Sequence, residues 1–141
     1  MRTTLLALFL ALASASAAAP LLRDLTPGDR VRVQFHSQGC YHDYRFDFEL
    51  ERGPALVARS SAGRAVALSP AQEAGLDRLI RFYREQRKGL CTTQEEVILT
   101  YFRTGRKVAS ERYTDGTCAT EDVKGVTTFS EVGHLLRITP R

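Results

Sequence analysis

From Tyr44 to Glu51 the chain alternates without a break. Tyr44, Phe46, Phe48 and Leu50 are apolar or aromatic, and Arg45, Asp47, Glu49 and Glu51 are charged. A helix would scatter the two sets around its axis, whereas a strand sends successive side chains to opposite faces. The segment is therefore a strand with one face in a core and the other in water. Antiparallel sheets commonly have one face packed and one solvated. By the same parity Asp47, Glu49 and Glu51 lie together, so their nearness marks a solvated face rather than a carboxylate site.

The flanking segments extend this pattern. Pro27-Gly28-Asp29 is a turn, and Val31, Val33 and Phe35 then alternate with Arg32, Gln34 and His36 until Ser37-Gln38-Gly39 breaks the run. Arg52-Gly53-Pro54 ends the long strand, and residues 55–59 and 64–68 form a short hairpin around Ser60-Ser61-Ala62-Gly63. Ser69 opens a helix over residues 70–88. Its hydroxyl caps an orphan amide, Pro70 suits the first helical position, and Gln72 completes a capping box. Leu76, Leu79, Ile80 and Tyr83 form one apolar stripe, and Gly89 suits the residue just past the helix end. Residues 97–102 and 107–113 form a second hairpin around Thr104-Gly105. A weak strand over residues 126–129 follows, with a short last helix capped by Ser130 and weakened by Gly133. The predicted fold is α+β, a small antiparallel sheet with one long helix packed on one face.

The first 19 residues stand apart. Arg2 precedes a short apolar run from Leu5 to Leu12, and small residues with several A-x-A triplets continue to Ala19. That order is a secretory signal peptide, and the run is shorter than the roughly 20 residues a bilayer span needs. Cleavage is expected after Ala15, Ala17 or Ala19, with Pro20 disfavouring the last. Residues 20–141 are then a single exported domain, large enough for one core. With 43% hydrophobic and 26% charged residues, the chain is neither collagen-like, disordered nor multi-pass membrane protein. Its net charge of +4 is a mild excess, not a nucleic-acid signature.

Export permits disulfides. The three cysteines, Cys40, Cys91 and Cys118, allow three single pairings, each leaving one thiol. A two-residue turn at Thr104-Gly105 sets Arg103 against Arg106, Tyr101 against Val108 and Leu99 against Ser110. Carried outward, it sets Cys91 opposite Cys118, close to disulfide reach. The register slips by one if Gly105 instead lies in a three-residue loop with a bulge. Cys40 is then the odd thiol, either a small buried hydrophobe, a reactive group or the bridge of a disulfide-linked dimer.

Gly39-Cys40-Tyr41 leads into the alternating strand, and a hairpin, the Ser69-Pro70 helix opening and a second hairpin follow. In this order the chain resembles a bacterial exported family of unknown function over about residues 30 to 138. Where that family carries a second cysteine and a proline, this chain has Asp43 and Tyr44. The resemblance implies a fold and a periplasmic or secreted location, and no activity.

The densest set of ligand types is His36, Cys40, His42 and Asp43. A thiolate with two imidazoles suits zinc or copper, with His134 as a distant fourth ligand, but the spacing matches no strong metal signature. Two surface histidines flanking a cysteine is the simpler account. A catalytic Cys40 would need a histidine base and an orienting group such as Asp43, and no known nucleophile context surrounds it. Arg59, Arg64, Arg103, Arg106, Lys107 and the basic helix end offer charge to a polyanion, but no aromatic platform for single strands accompanies them. The sequence therefore points to a non-enzymatic exported binding or inhibitor-like domain, with no cofactor and an unidentified protein or envelope component as partner. The competing expectation is a metal-binding or thiol-active protein built on His36, Cys40 and His42.

Overall fold

The computed structural model describes residues 18–85, 89–118 and 128–139. Six strands form one antiparallel sheet: β1 (Arg30–Gly39), β2 (His42–Arg52), β3 (Leu56–Ser60), β4 (Ala65–Ala67), β5 (Gln94–Arg103) and β6 (Arg106–Asp115). Their order across the sheet is β4-β3-β2-β1-β5-β6, so β1 and β2 lie in the middle. Two helices, α1 (Pro70–Arg84) and α2 (Phe129–Leu135), and a 3-10 turn at Leu22–Asp24 complete the described fold. No helix among the described residues is long and apolar enough to cross a membrane.

The parity read from the sequence governs the packing. Val31, Val33 and Phe35 of β1 face the same side as Phe46, Phe48 and Leu50 of β2, and all six are buried. Val97, Leu99 and Tyr101 of β5 join them through the β1–β5 ladder. Leu76, Leu79, Ile80 and Tyr83 of α1 and Phe129, Val132 and Leu136 at α2 close over this inner face. Tyr83 stacks on Tyr113 of β6 at 6.4 Å and on Phe129 of α2 at 6.3 Å, tying both helices to the sheet through one ring.

The expected α+β class holds, with two helices on the inner face. Ser69 caps α1 through the expected box with Gln72. The described helix stops at Arg84 with Glu85 as C-cap, and residues 86–88 of the expected helix lie outside the described residues. Gly89 has a different use from a helix end. A Cβ there would lie 2.5 Å from the Gly116 carbonyl oxygen and 2.6 Å from the Thr117 Cα, so only glycine lets these two backbones pass. The last helix is capped by Thr128 in a box with Glu131, not by Ser130. Phe129 begins that helix and is not in a strand, while residues 126 and 127 of the expected strand are outside the described residues. β1 also runs on through Ser37-Gln38-Gly39, because β2 pairs with it as far as Gly39–His42.

The β5–β6 register differs from the simple two-residue extrapolation. The turn does consist of Thr104 and Gly105, both with positive φ, and Arg103 pairs with Arg106. Val108 is then bulged out, so Tyr101 pairs with Ala109 and Leu99 with Glu111. A bulge and flanking charges suit an edge strand, because they discourage pairing with another chain. Beyond the ladder, Asp115 bends the chain by accepting from the Thr117 amide at 3.0 Å and hydroxyl at 2.7 Å. The Cys91 amide donates to the Gly116 carbonyl at 2.8 Å, and the Cys91–Cys118 disulfide forms with the Cα atoms 5.6 Å apart.

Replacing both Cys91 and Cys118 by serine should cost about 3.5 kcal/mol, the chain-entropy contribution expected for this loop. Denaturant unfolding of the double variant checks it. Gly133→Ala gives a sharper test. Alanine improves helix propensity by about 1 kcal/mol. Its Cβ, however, would lie 2.5 Å from Phe46 Cδ1, inside a packed ring contact. Overpacking costs about 1–3 kcal/mol, so the variant should be net destabilised in thermal melts.

Candidate functional site

The hairpin of β1 and β2 carries every residue of the ligand cluster expected from the sequence. The ladder closes at Gly39–His42, leaving Cys40 and Tyr41 in the connection. Cys40 is a free, exposed cysteine, and Tyr41 is fully exposed. It is therefore not the small buried hydrophobe that a lone cysteine often is.

Strand parity separates the two histidines. His36 shares the outer, solvated face with Gln34 and Arg45, whereas His42 shares the inner face with Tyr44 and Phe46. His36 Nε2 pairs with Asp43 Oδ1 at 2.8 Å across the outer face. His42 Nε2 bonds Ser37 Oγ at 2.9 Å on the inner face, with its ring 5.2 Å from that of Tyr44. Its ring lies across Gly39, where a Cβ would come within 2.6 Å of His42 Cε1. Among the described residues no group of three or more His, Cys, Asp or Glu side chains is placed to hold a metal. His134 lies on α2 and packs edge-on against Phe46 at 5.2 Å, apart from that hairpin connection.

Ser37 is the member of this cluster that sequence reasoning passed over, as part of a supposed strand break. Its contact with His42 has the distance of a nucleophile–base pair. Two features make it structural instead. Ser37 is 1% exposed, so no substrate reaches its hydroxyl. Among the described residues, no carboxylate hydrogen-bonds the other ring nitrogen to orient it, as a triad would require. The bond satisfies a buried hydroxyl at the open end of the core.

A second polar cluster lies under the end of α1. Arg84 pairs with Glu111 at 3.0 Å, and the same carboxylate accepts from the Tyr101 hydroxyl at 3.1 Å. The Tyr83 hydroxyl donates to Glu95 at 2.6 Å. Burial, reinforced by the Glu111 charge, raises the Tyr101 pKa well above a phenol's ordinary value, so the hydroxyl stays a donor. Burial also lowers the tendency of Arg84 to stay charged, but Glu111 and the Tyr113 hydroxyl outweigh it and raise its pKa overall. These groups brace the helix end against β5 and β6, and Arg84 also reaches the N-terminal segment.

The outer face of the sheet is open. Arg30 and Arg32 reach Glu49 at 3.4 and 3.3 Å, Arg59 reaches Glu51 at 2.7 Å, and Arg112 reaches Glu96 at 3.5 Å. Ile98 and Phe102 stand half-buried among these pairs, with the Arg30 guanidinium 5.9 Å from the Phe102 ring centre. The arginines expected to serve a polyanion are largely engaged. Arg103 pairs with Asp29 at 3.2 Å, and Arg64 donates to the Leu135 carbonyl at 3.1 Å.

No family model, curated protein or solved structure matches the chain.

Ser37→Ala should lower stability by about 1 kcal/mol, the usual net worth of one hydrogen bond. His36→Ala, whose bond to Asp43 is exposed, should change it by less than about 0.5 kcal/mol. Urea unfolding of the two variants separates the inner histidine bond from the outer one.

Proposed function

We propose that the protein is an exported, non-enzymatic domain that binds a protein partner through the outer face of its sheet. The observation that carries this reading is the one-sided cover. Both helices pack on the inner face, while the outer face of the sheet presents arginines, carboxylates and the half-buried Ile98 and Phe102. Strand spacing and rise give the four long strands of this face about 19 Å by 30 Å, roughly 600 Å². A standard interface covers about 800 Å² on each partner. Exposed ion pairs are worth about 0–1 kcal/mol each, so a partner can re-pair Arg30, Arg32 and Arg112 at little cost. Arginine and aromatic side chains are the types enriched at such contacts. The signal-peptide order of the first 19 residues and the disulfide agree with a secreted or periplasmic setting. The resemblance to an exported family of unknown function is consistent with it and adds no activity.

A photo-crosslinking side chain placed at Ile98, in cells exporting the protein, should give a discrete protein adduct. The same group at Ala62, in the β3–β4 turn, should not. Arg32→Glu together with Arg112→Glu should reduce the Ile98 adduct about tenfold or more. Adducts equal at both positions, or a substrate turnover abolished by Cys40→Ala or His42→Ala, would overturn the reading.

One observation favours a second reading. Cys40 is free and exposed beside a fully exposed Tyr41 at a hairpin tip, where a second thiol has open access. This geometry suits a thiol-active group or a disulfide-linked dimer. Non-reducing intact mass after alkylation decides between the two forms. One alkylated thiol per monomer leaves Cys40 free, and a doubled mass that collapses on reduction makes it a bridge.

A further inference from the structure

The residues just after the apolar leader are built into the fold. Ala18 is exposed, but Ala19 is only 8% exposed and belongs to the core cluster. The Ala19 carbonyl accepts from Arg84 Nη2 at 2.8 Å, and the Pro20 carbonyl lies 3.4 Å from the same nitrogen. Leu22 is fully buried, and its amide donates to Asp77 Oδ1 at 2.7 Å while the Arg23 amide reaches Oδ2 at 3.3 Å. The Leu22 carbonyl accepts from Arg52 Nη2 at 2.6 Å, and Arg52 is held in turn by Glu73 of α1. The segment from Ala19 to Arg23 is thus clamped by two partly buried arginines and a buried aspartate.

This clamp distinguishes between cuts that the sequence alone leaves open. Ala13-Ser14-Ala15, Ala15-Ser16-Ala17 and Ala17-Ala18-Ala19 all fit a small-x-small processing pattern. A cut after Ala19 removes the carbonyl that Arg84 uses and places a new cationic Pro20 nitrogen close to its guanidinium. A cut after Ala18 creates an ammonium on the buried Ala19, and burying a charge without a partner is costly. A cut after Ala17 puts the new ammonium on exposed Ala18 and leaves every clamp contact intact, as does a cut after Ala15.

We infer that the mature protein retains Ala18 and Ala19, its leader being removed by hydrolysis of a peptide bond no later than Ala17–Ala18. Water supplies the hydroxyl for the new carboxylate and a proton for the new amine. This inference rests on the export reading. Intact mass of the protein exported from the full-length gene tests both. A chain beginning at Ser16 or Ala18 is expected. A start at Ala19 or Pro20 would overturn the processing limit and leave export standing, whereas an uncleaved chain retained inside the cell would overturn export and the limit together. Stability gives an independent arm. Chains starting at Ala18 and at Pro20, each released from a cleavable tag, should differ in melting midpoint by about 5 °C. Arg84→Ala should shrink that gap, because it removes the group that reads the Ala19 carbonyl. Equal midpoints for the two chains would overturn the structural basis of the inference.

Discussion

β1 and β2 sit at the middle of the sheet, and each buries only alternate side chains. Everything that packs must therefore pack on the side of Phe35, Phe46 and Phe48. The two helices, the 3-10 turn and the N-terminal segment have all found that side. The same constraint sorts the chemistry. Neighbours in sequence become strangers in space, as His36 and His42 show, and residues five apart, such as Ser37 and His42, become partners. A three-ligand site on this hairpin would need residues of one parity. The sequence places its histidines on opposite ones.

Charge at the rim of the core does a different job. Arg52 and Arg84 each combine a carboxylate on one side with backbone carbonyls of the N-terminal segment on the other. Asp77 completes the set by accepting two backbone amides, and burial raises its pKa against the pull of those bonds. Such groups contribute little as ion pairs in water but much as partners for otherwise unsatisfied buried backbone. Removing one strands the others. The N-terminal segment is therefore held by polar satisfaction as well as by Leu22 and Leu25, and it behaves as part of the domain rather than as a tail.

Features that depend on local pattern were legible in the sequence. The alternation of β2, the Ser69–Gln72 capping box and the proximity of Cys91 to Cys118 each need only a few adjacent residues or one tight turn. Features that depend on a distant partner were not. Gly133 looks like a weak helix residue until the Phe46 ring is seen beneath it, and Gly89 looks like a helix terminator until Gly116 is seen against it. The bulge at Val108 shifted the β5–β6 register by one, yet the bridge still formed because the Asp115 turn lies beyond the ladder and absorbs the shift. At the candidate site, the position of Cys40 at an exposed tip followed from the Ser37-Gln38-Gly39 break only in part. The strand runs through all three of those residues to Gly39, and that extension gives the buried Ser37 its histidine partner.

The uncovered face follows from the same economy. A chain with one apolar set per strand can cover one side of a six-stranded sheet with α1 and α2 and has no further apolar helix among its described elements to cover the other. The open side must then be soluble, and alternating arginines and carboxylates on β1, β2 and β3 make it so through pairs that are individually weak. Weak pairing also keeps the face adaptable. Its residues are held in place by the ladder beneath them, not by each other, so the backbone is preorganised while the side chains remain free to re-pair. Ile98 and Phe102 fit poorly with solubility alone, since two half-buried apolar side chains on a wet face gain most when something lies over them.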